Sequence, residues 1–168
     1  LISFPWYPPQ GGGTVHAYQV AHQLTKRGHT LHAMYYEHQA HDLKVYRQRH
    51  IFRFVRNIDV LYIRIHGRFD FENLTLLKAL KCFSLPVVWE VNAPFEELLV
   101  RGKTKKEVDR LNFQRKLLAK LVTASICVSK EMREYAIKDL KIKNSFLVPN
   151  GSDKELFSPS KRDERIYE

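Results

Sequence analysis

Cysteine is scarce in this sequence, with only Cys82 and Cys127 among 168 residues. The two stand far apart in apolar contexts and form no CxxC pair. That argues against a disulfide framework or a structural metal, and for small buried thiols in a reducing compartment. Long apolar runs are lacking as well. No stretch reaches the roughly 18 uninterrupted apolar residues of a membrane-spanning helix, and no charged start leads into a signal-peptide core. The expectation is a soluble or surface-bound protein, cytoplasmic, with a peripheral place at the cytoplasmic membrane face as the variant. Negative charge is also under-represented: 28 Lys and Arg face 18 Asp and Glu, giving a formal charge of +10 and a pI near 9.7. Such a balance suits nucleic acid, an anionic membrane or an anionic small molecule, and equally a plain solvated surface.

What is present fits one domain. The length and the 44% hydrophobic content are ordinary for a globular chain with a real core. Leu1 to Phe4 reads as the end of a buried strand in a trimmed sequence. Pro5 to Gly13 reads as a loop made of strong breakers. A helix is expected from Thr14, which can cap it, with Val15, Tyr18, Ala21 and Leu24 at helical spacing and Gly28 as a left-handed stop. Thr30 to Tyr36 reads as a strand. The stretch from Asp42 to Asn57, with Lys44, Arg47, Arg49, Arg53 and Arg56 among apolar residues, reads as a basic helix.

Further strands are expected at Asp59–Ile65, Pro86–Glu90, Ala124–Val128 and Ser145–Val148. Between them, helices are expected over Phe71–Phe83, with a Leu74, Leu77, Leu80 stripe, over a long region after Asn92-Ala-Pro94 to about Leu121 interrupted near Gly102, and over Lys130–Leu140. The long region has Val108, Leu111, Leu118 and Leu121 as its buried seam. Strands alternating with helices imply an α/β, Rossmann-like three-layer domain with a mainly parallel sheet, whose ligands gather at the carboxyl ends of the strands. The loops that matter therefore follow strands: Pro5–Gly13, His66–Phe69, Val91–Phe95, Ser129 and Pro149–Asp153.

A glycine loop entering a helix turns free backbone N–H groups toward whatever lies above it, which suits a phosphate. Gly11-x-Gly13-x-x-His16 nevertheless departs from the dinucleotide fingerprint. Histidine stands at the third glycine, and no acid closes the second strand before Glu37. The alternative is a tight turn with no ligand. His16, in the first helical turn, either points back toward a bound hydroxyl or phosphate or is merely solvated. Glu90 and Asn92 end a strand at the ligand crevice, where a carboxylate can take a proton or hold a sugar hydroxyl, or else bonds a neighbouring helix terminus. Arg64, near its own strand end, binds an anion or pairs with Glu90. No histidine is paired with another candidate at metal-ligand spacing, so no metal is expected.

Gly12-Gly13 with His16, then Leu24-Thr-Lys-Arg-Gly28-His29, together with Val148-Pro149-Asn150-Gly151-Ser-Asp153-Lys-Glu-Leu-Phe157-Ser-Pro159, resembles the amino-terminal domain of glycosyltransferase family 4. The resemblance covers nearly the whole chain, and its Pro-Asn-Gly-x-Asp-x-x-x-Phe-x-Pro run is the specific part. It implies one half of a GT-B fold: residues 1–159 as the Rossmann-like acceptor-side domain, and 160–168 as a charged tail leading to an absent carboxy-terminal domain that holds the donor. The family's glutamate pair belongs to that second domain, and no glutamate here has another eight positions later.

The implied activity is sugar transfer from a nucleotide-sugar donor to a carbohydrate or lipid-linked acceptor, retaining and metal-independent, of hexosyltransferase type, with no cofactor and with the fragment itself inactive. Gly12 and Gly13 would face the donor phosphates. His16, Arg64, Ser129 and Asn150 would bind the acceptor, and Glu90 and Asn92 would be catalytic. Many relatives carry a histidine after the strand that here ends Trp89-Glu90-Val91-Asn92, which leaves that last assignment open. Position 152 is Ser where an aliphatic residue is usual. The basic helix through Lys103, Lys106, Arg110, Lys116 and Lys120 either lies on an anionic membrane or is a solvated face.

Two other classes compete. A non-catalytic basic module would grip anionic lipid or nucleic acid. RNA would require an exposed aromatic platform, for which Phe52 and Phe54 are candidates if they are not buried, and nucleic acid ranks below membrane. An NAD-type oxidoreductase domain shares the fold but lacks the third glycine and the ribose-binding acid.

Overall fold

The computed structural model describes residues 12–34, 44–46, 51–64, 71–94 and 102–151. The expected strand Leu1–Phe4, the loop from Pro5 to Gly11, the loop His66–Phe69 and the terminal motif beyond Gly151 lie outside the described residues.

The glycine run does not remain a loop. Gly12 and Gly13 already form the first turn of α1, Gly12–Lys26, so Thr14 is the third helical residue and not the cap. Glycine costs about 1 kcal/mol in a helix relative to alanine, so this extension is held by tertiary contact: the Arg64 guanidinium donates to the Gly13 carbonyl. The far end stops as expected. Gly28 takes φ +87°, its N–H bonds the Thr25 carbonyl at 2.9 Å, and the His29 N–H bonds the Leu24 carbonyl at 3.1 Å, the paired bonds of a left-handed glycine stop. The buried seam is Ala17 and Ala21 while Val15 is exposed, so the expected stripe is rotated. Two small residues thus form its buried side.

β1, His32–Met34, pairs in parallel with β2, Lys44–Tyr46. After them come one short turn of helix, α2, Ile51–Phe54, and a 3-10 turn, Val55–Asn57. Of the basic helix expected from Asp42 to Asn57, Lys44–Tyr46 is instead a strand and residues 51–57 a short helical turn, while 42, 43 and 47–50 lie outside the described residues. Lys-Val-Tyr fits the period of a strand as well as that of a helix, and the ladder to β1 decides between them. Phe52 is exposed, its ring centroid 6.4 Å from that of Phe83.

The remaining elements alternate: β3 (Leu61–Arg64), α3 (Phe71–Lys81), β4 (Val87–Val91), α4 (Lys105–Ala119), β5 (Ala124–Cys127), α5 (Lys130–Lys138) and β6 (Ser145–Leu147). The strands pair in parallel in the order β3-β4-β5-β6. Crossovers between parallel strands follow the right-handed rule, which puts α3, α4 and α5 on the same face of the sheet. The core agrees with this. Leu61, Ile63, Val87, Trp89, Val91 and Cys127 pack with the Leu74, Leu77, Leu80 stripe of α3, with Leu118 and Ala119 of α4, and with Tyr135 and Ala136 of α5. Alternation along the strands then turns Tyr62, Arg64, Val88 and Glu90 to the opposite face. This is an α/β fold of Rossmann-like type.

Of the long helical region expected after Pro94, residues 95–101 lie outside the described residues; the expected break near Gly102 is present, and the helix beyond it begins at Lys105. Gly102 takes φ +77°, and Thr104 closes a capping box: its hydroxyl accepts from the Glu107 N–H at 3.3 Å, and Glu107 Oε2 accepts from the Thr104 N–H at 2.9 Å. Val108, Leu111 and Leu118 are buried as expected. Leu121 lies just past the helix, half-buried, and Arg115 joins the seam with its guanidinium donating to the Ala93 carbonyl at 3.2 Å. Of the two thiols, Cys127 is buried but Cys82 is exposed, because α3 ends at Lys81 and leaves Cys82 in the turn that follows.

Candidate functional site

In a parallel sheet all carboxyl ends of the strands share one edge, and this edge collects the expected site residues. Arg64 is the last residue of β3, and Glu90, near the end of β4, is its partner in register. α1 brings Gly13 and His16 to the same place. Ser129, Asn92 and Asn150 follow β5, β4 and β6 along the same edge. The Ser129 hydroxyl caps α5, accepting from the Met132 N–H at 3.2 Å. Asn92 is half-buried and Asn150 exposed.

Glu90 is the carboxylate on which the others converge. It is 1% exposed. His16 Nε2 lies 3.2 Å from each of its oxygens, and the Tyr62 hydroxyl donates to Oε2. Arg64 Nε stands 3.0 Å from Oε1, an ion-pair contact whose angle leaves neither atom in hydrogen-bond geometry. The same guanidinium reaches the Gly13 carbonyl, so one arginine binds the carboxylate and the first turn of α1 together. Arg64 therefore pairs with Glu90, one of the two roles open to it from the sequence.

The electrostatics follow from this crowding. Burial raises the Glu90 carboxyl, but the hydrogen bonds from His16 and Tyr62 and the Arg64 charge outweigh it and hold the group below its ordinary value. Burial first, then the Glu90 charge and the bond to it, push the Tyr62 phenol well above its usual range against the opposing charge of Arg64. At neutral pH the pair is a carboxylate and a neutral phenol donor. His16 is the outlet of the cluster: its side chain is 24% exposed, against 9% for Arg64 and 2% for Glu90.

Tyr62 is the member that sequence reasoning misses. Two signals could have found it. It stands two residues before Arg64, on the same face of a strand, and a phenol on a largely buried parallel strand needs a polar partner. Among the described residues no group of three or more His, Cys, Asp or Glu side chains is arranged to hold a metal ion.

The sequence pattern of Glycosyltransferase Family 4 matches residues 10–156, from just before α1 to beyond β6. The chain belongs to glycosyltransferase family 4. No curated protein matches the chain. In this glycosyltransferase-family domain the matched region contains the whole Glu90 cluster and all four parallel strand ends. Both terminal motifs of the sequence contribute to it, since Gly12, Gly13 and His16 enter at α1 and Pro149-Asn150-Gly151 leaves β6.

Proposed function

We propose that this chain is the acceptor-side domain of a retaining, metal-independent hexosyltransferase that uses a nucleotide-sugar donor and a carbohydrate or lipid-linked acceptor. The observation that carries this reading is the Glu90–His16 pair at the carboxyl edge of the sheet, a partly exposed imidazole mounted on a buried carboxylate. Such a ring can hold or deprotonate a sugar hydroxyl. The amides that open α1 at Gly12 and Gly13 have no partners within the helix and suit the donor phosphates. Asn92, Ser129 and Asn150 complete the edge as acceptor contacts. The donor base and sugar are held by a second α/β unit, and residues 1–168 alone turn over nothing.

Transfer of radiolabelled sugar tests this. In the enzyme that contains this chain, His16→Ala lowers turnover by about a hundredfold or more, with donor binding little changed. Undiminished transfer by His16→Ala overturns the site assignment, and robust transfer by the 168 residues alone overturns the division of labour.

A lipid-linked acceptor is favoured by α4. Lys106, Arg110, Lys116 and Lys120 are exposed on its outer face with Asp109 as the exposed acid among them, and Phe113 in their midst is 63% exposed. Cations flanking an exposed aromatic suit an anionic bilayer surface, at the cytoplasmic face. In sedimentation with vesicles of neutral or mixed anionic lipid, binding requires the anionic lipid and weakens with salt. Phe113→Ser or Arg110→Gln each lower the partition about fivefold. Equal binding to neutral vesicles, or none to either kind, rejects the surface.

A further inference from the structure

The four side chains of the Glu90 cluster meet a ligand unequally. A molecule arriving at the strand ends finds His16, because Glu90 and Arg64 lie beneath it, buried. Glu90 is thus a support for His16 and not a group in reach of substrate.

The support also determines the state of the ring. Nε2 sits 3.2 Å from both oxygens of an ionised carboxylate, and a carboxylate only accepts, so the Nε2 proton is fixed in place. In the neutral ring that leaves Nδ1 as the acceptor nitrogen. A hydroxyl is the group such a nitrogen takes. The carboxylate is in turn held from two sides, by the Tyr62 hydroxyl on Oε2 and by the Arg64 guanidinium at Oε1. The contact of Arg64 with the Gly13 carbonyl fixes the helix on which His16 rides. Tyr62 lies on the same strand face as Arg64, two residues away, and joins the cluster through its hydroxyl.

We propose that Tyr62 and Arg64 are positioning residues that act through Glu90 to set the tautomer and direction of the His16 ring, so that Nδ1 accepts a hydrogen bond from a sugar hydroxyl of the acceptor. The identity of the hydroxyl rests on the glycosyltransferase reading above. The linkage from Tyr62 to the tautomer does not.

Tyr62→Phe separates these parts, because it keeps the ring in place and removes only the donor to Oε2. Side-chain 15N–1H correlation spectra of the 168-residue chain, recorded where the ring's own 15N shifts show it to be neutral, report which ring nitrogen carries the proton. The His16 signal is assigned by its loss in His16→Gln. The wild-type ring is expected as a single Nε2–H tautomer, and Tyr62→Phe and Glu90→Gln are expected to convert it to a mixture. In the enzyme that contains this chain, Tyr62→Phe should lower kcat/KM for the acceptor between about tenfold and a hundredfold with the donor KM unchanged.

A wild-type Nδ1–H ring, or a tautomer that ignores Tyr62→Phe, overturns the linkage. A shifted tautomer with unaltered acceptor kinetics overturns the hydroxyl assignment. Absence of any sugar transfer by the wild-type enzyme counts against the glycosyltransferase reading itself, and the tautomer experiment is unaffected by that failure.

Discussion

Glu90→Ala is expected to lower the stability of the domain by about 3 to 5 kcal/mol, the cost of removing one partner from a buried ion pair. Arg64 is 9% exposed and keeps its charge, so the alanine leaves a guanidinium beside an empty space that water reaches poorly. The Tyr62 hydroxyl and His16 Nε2 lose their acceptor in the same step. Urea unfolding followed by circular dichroism measures the change, and a loss below about 1 kcal/mol would contradict the burial argument. Removing both charges, in Glu90→Leu with Arg64→Met, should recover much of the loss, since an apolar pair of similar volume is often neutral in place of a buried ion pair.

The pH dependence has a definite sign. The Glu90 carboxyl lies below its ordinary value in the fold, so its contribution is present above the unfolded value of about 4.3 and disappears as pH falls through the lower, folded value. Glu90→Gln should therefore flatten the acid side of the stability profile. Its urea midpoint should differ from the wild type most at neutral pH and converge with it at the acid end.

The second large effect belongs to the adjacent residue and to the other face of the strand. Trp89 is 2% exposed and packs in the cluster shared with α3, α4 and α5. Trp89→Ala should cost about 3 to 5 kcal/mol through lost burial and the cavity left behind. Glu90→Ala and Trp89→Ala thus reach similar size by unrelated routes, one electrostatic and one steric. Their pH dependence tells them apart: the Trp89→Ala deficit should hardly change with pH. A deficit that vanishes in acid would show that the loss comes through the neighbouring carboxylate and not through the core.

Elements whose information is local were legible in the sequence. The Leu74, Leu77, Leu80 stripe gives α3, and the β-branched and aromatic runs give β3 and β4, because each pattern matches one period only. Residues 44–46 were not legible. Three alternating residues fit either period, and the pairing that decides between them lies with His32–Met34. The candidate site was half legible. His16, Arg64 and Glu90 stand out as polar groups at strand ends and a helix start, whereas their convergence depends on register and on where α1 docks. Tyr62 was hidden by its aromatic side chain, which reads as core in a strand of this kind. Arg115 was hidden for the opposite reason, since a charge on a basic helix reads as surface until its hydrogen bond to the Ala93 carbonyl is seen.

The order β3-β4-β5-β6 means that each strand finds its neighbour one helix further along the chain. The two bonds that tie α1 to the candidate site span longer stretches: 74 residues separate His16 from Glu90, and 51 separate Gly13 from Arg64. Closing a loop costs entropy that grows with its length, so these two contacts are the costlier closures of the fold. The seat of the His16 ring on Glu90 is therefore complete only when α1 has docked on the sheet.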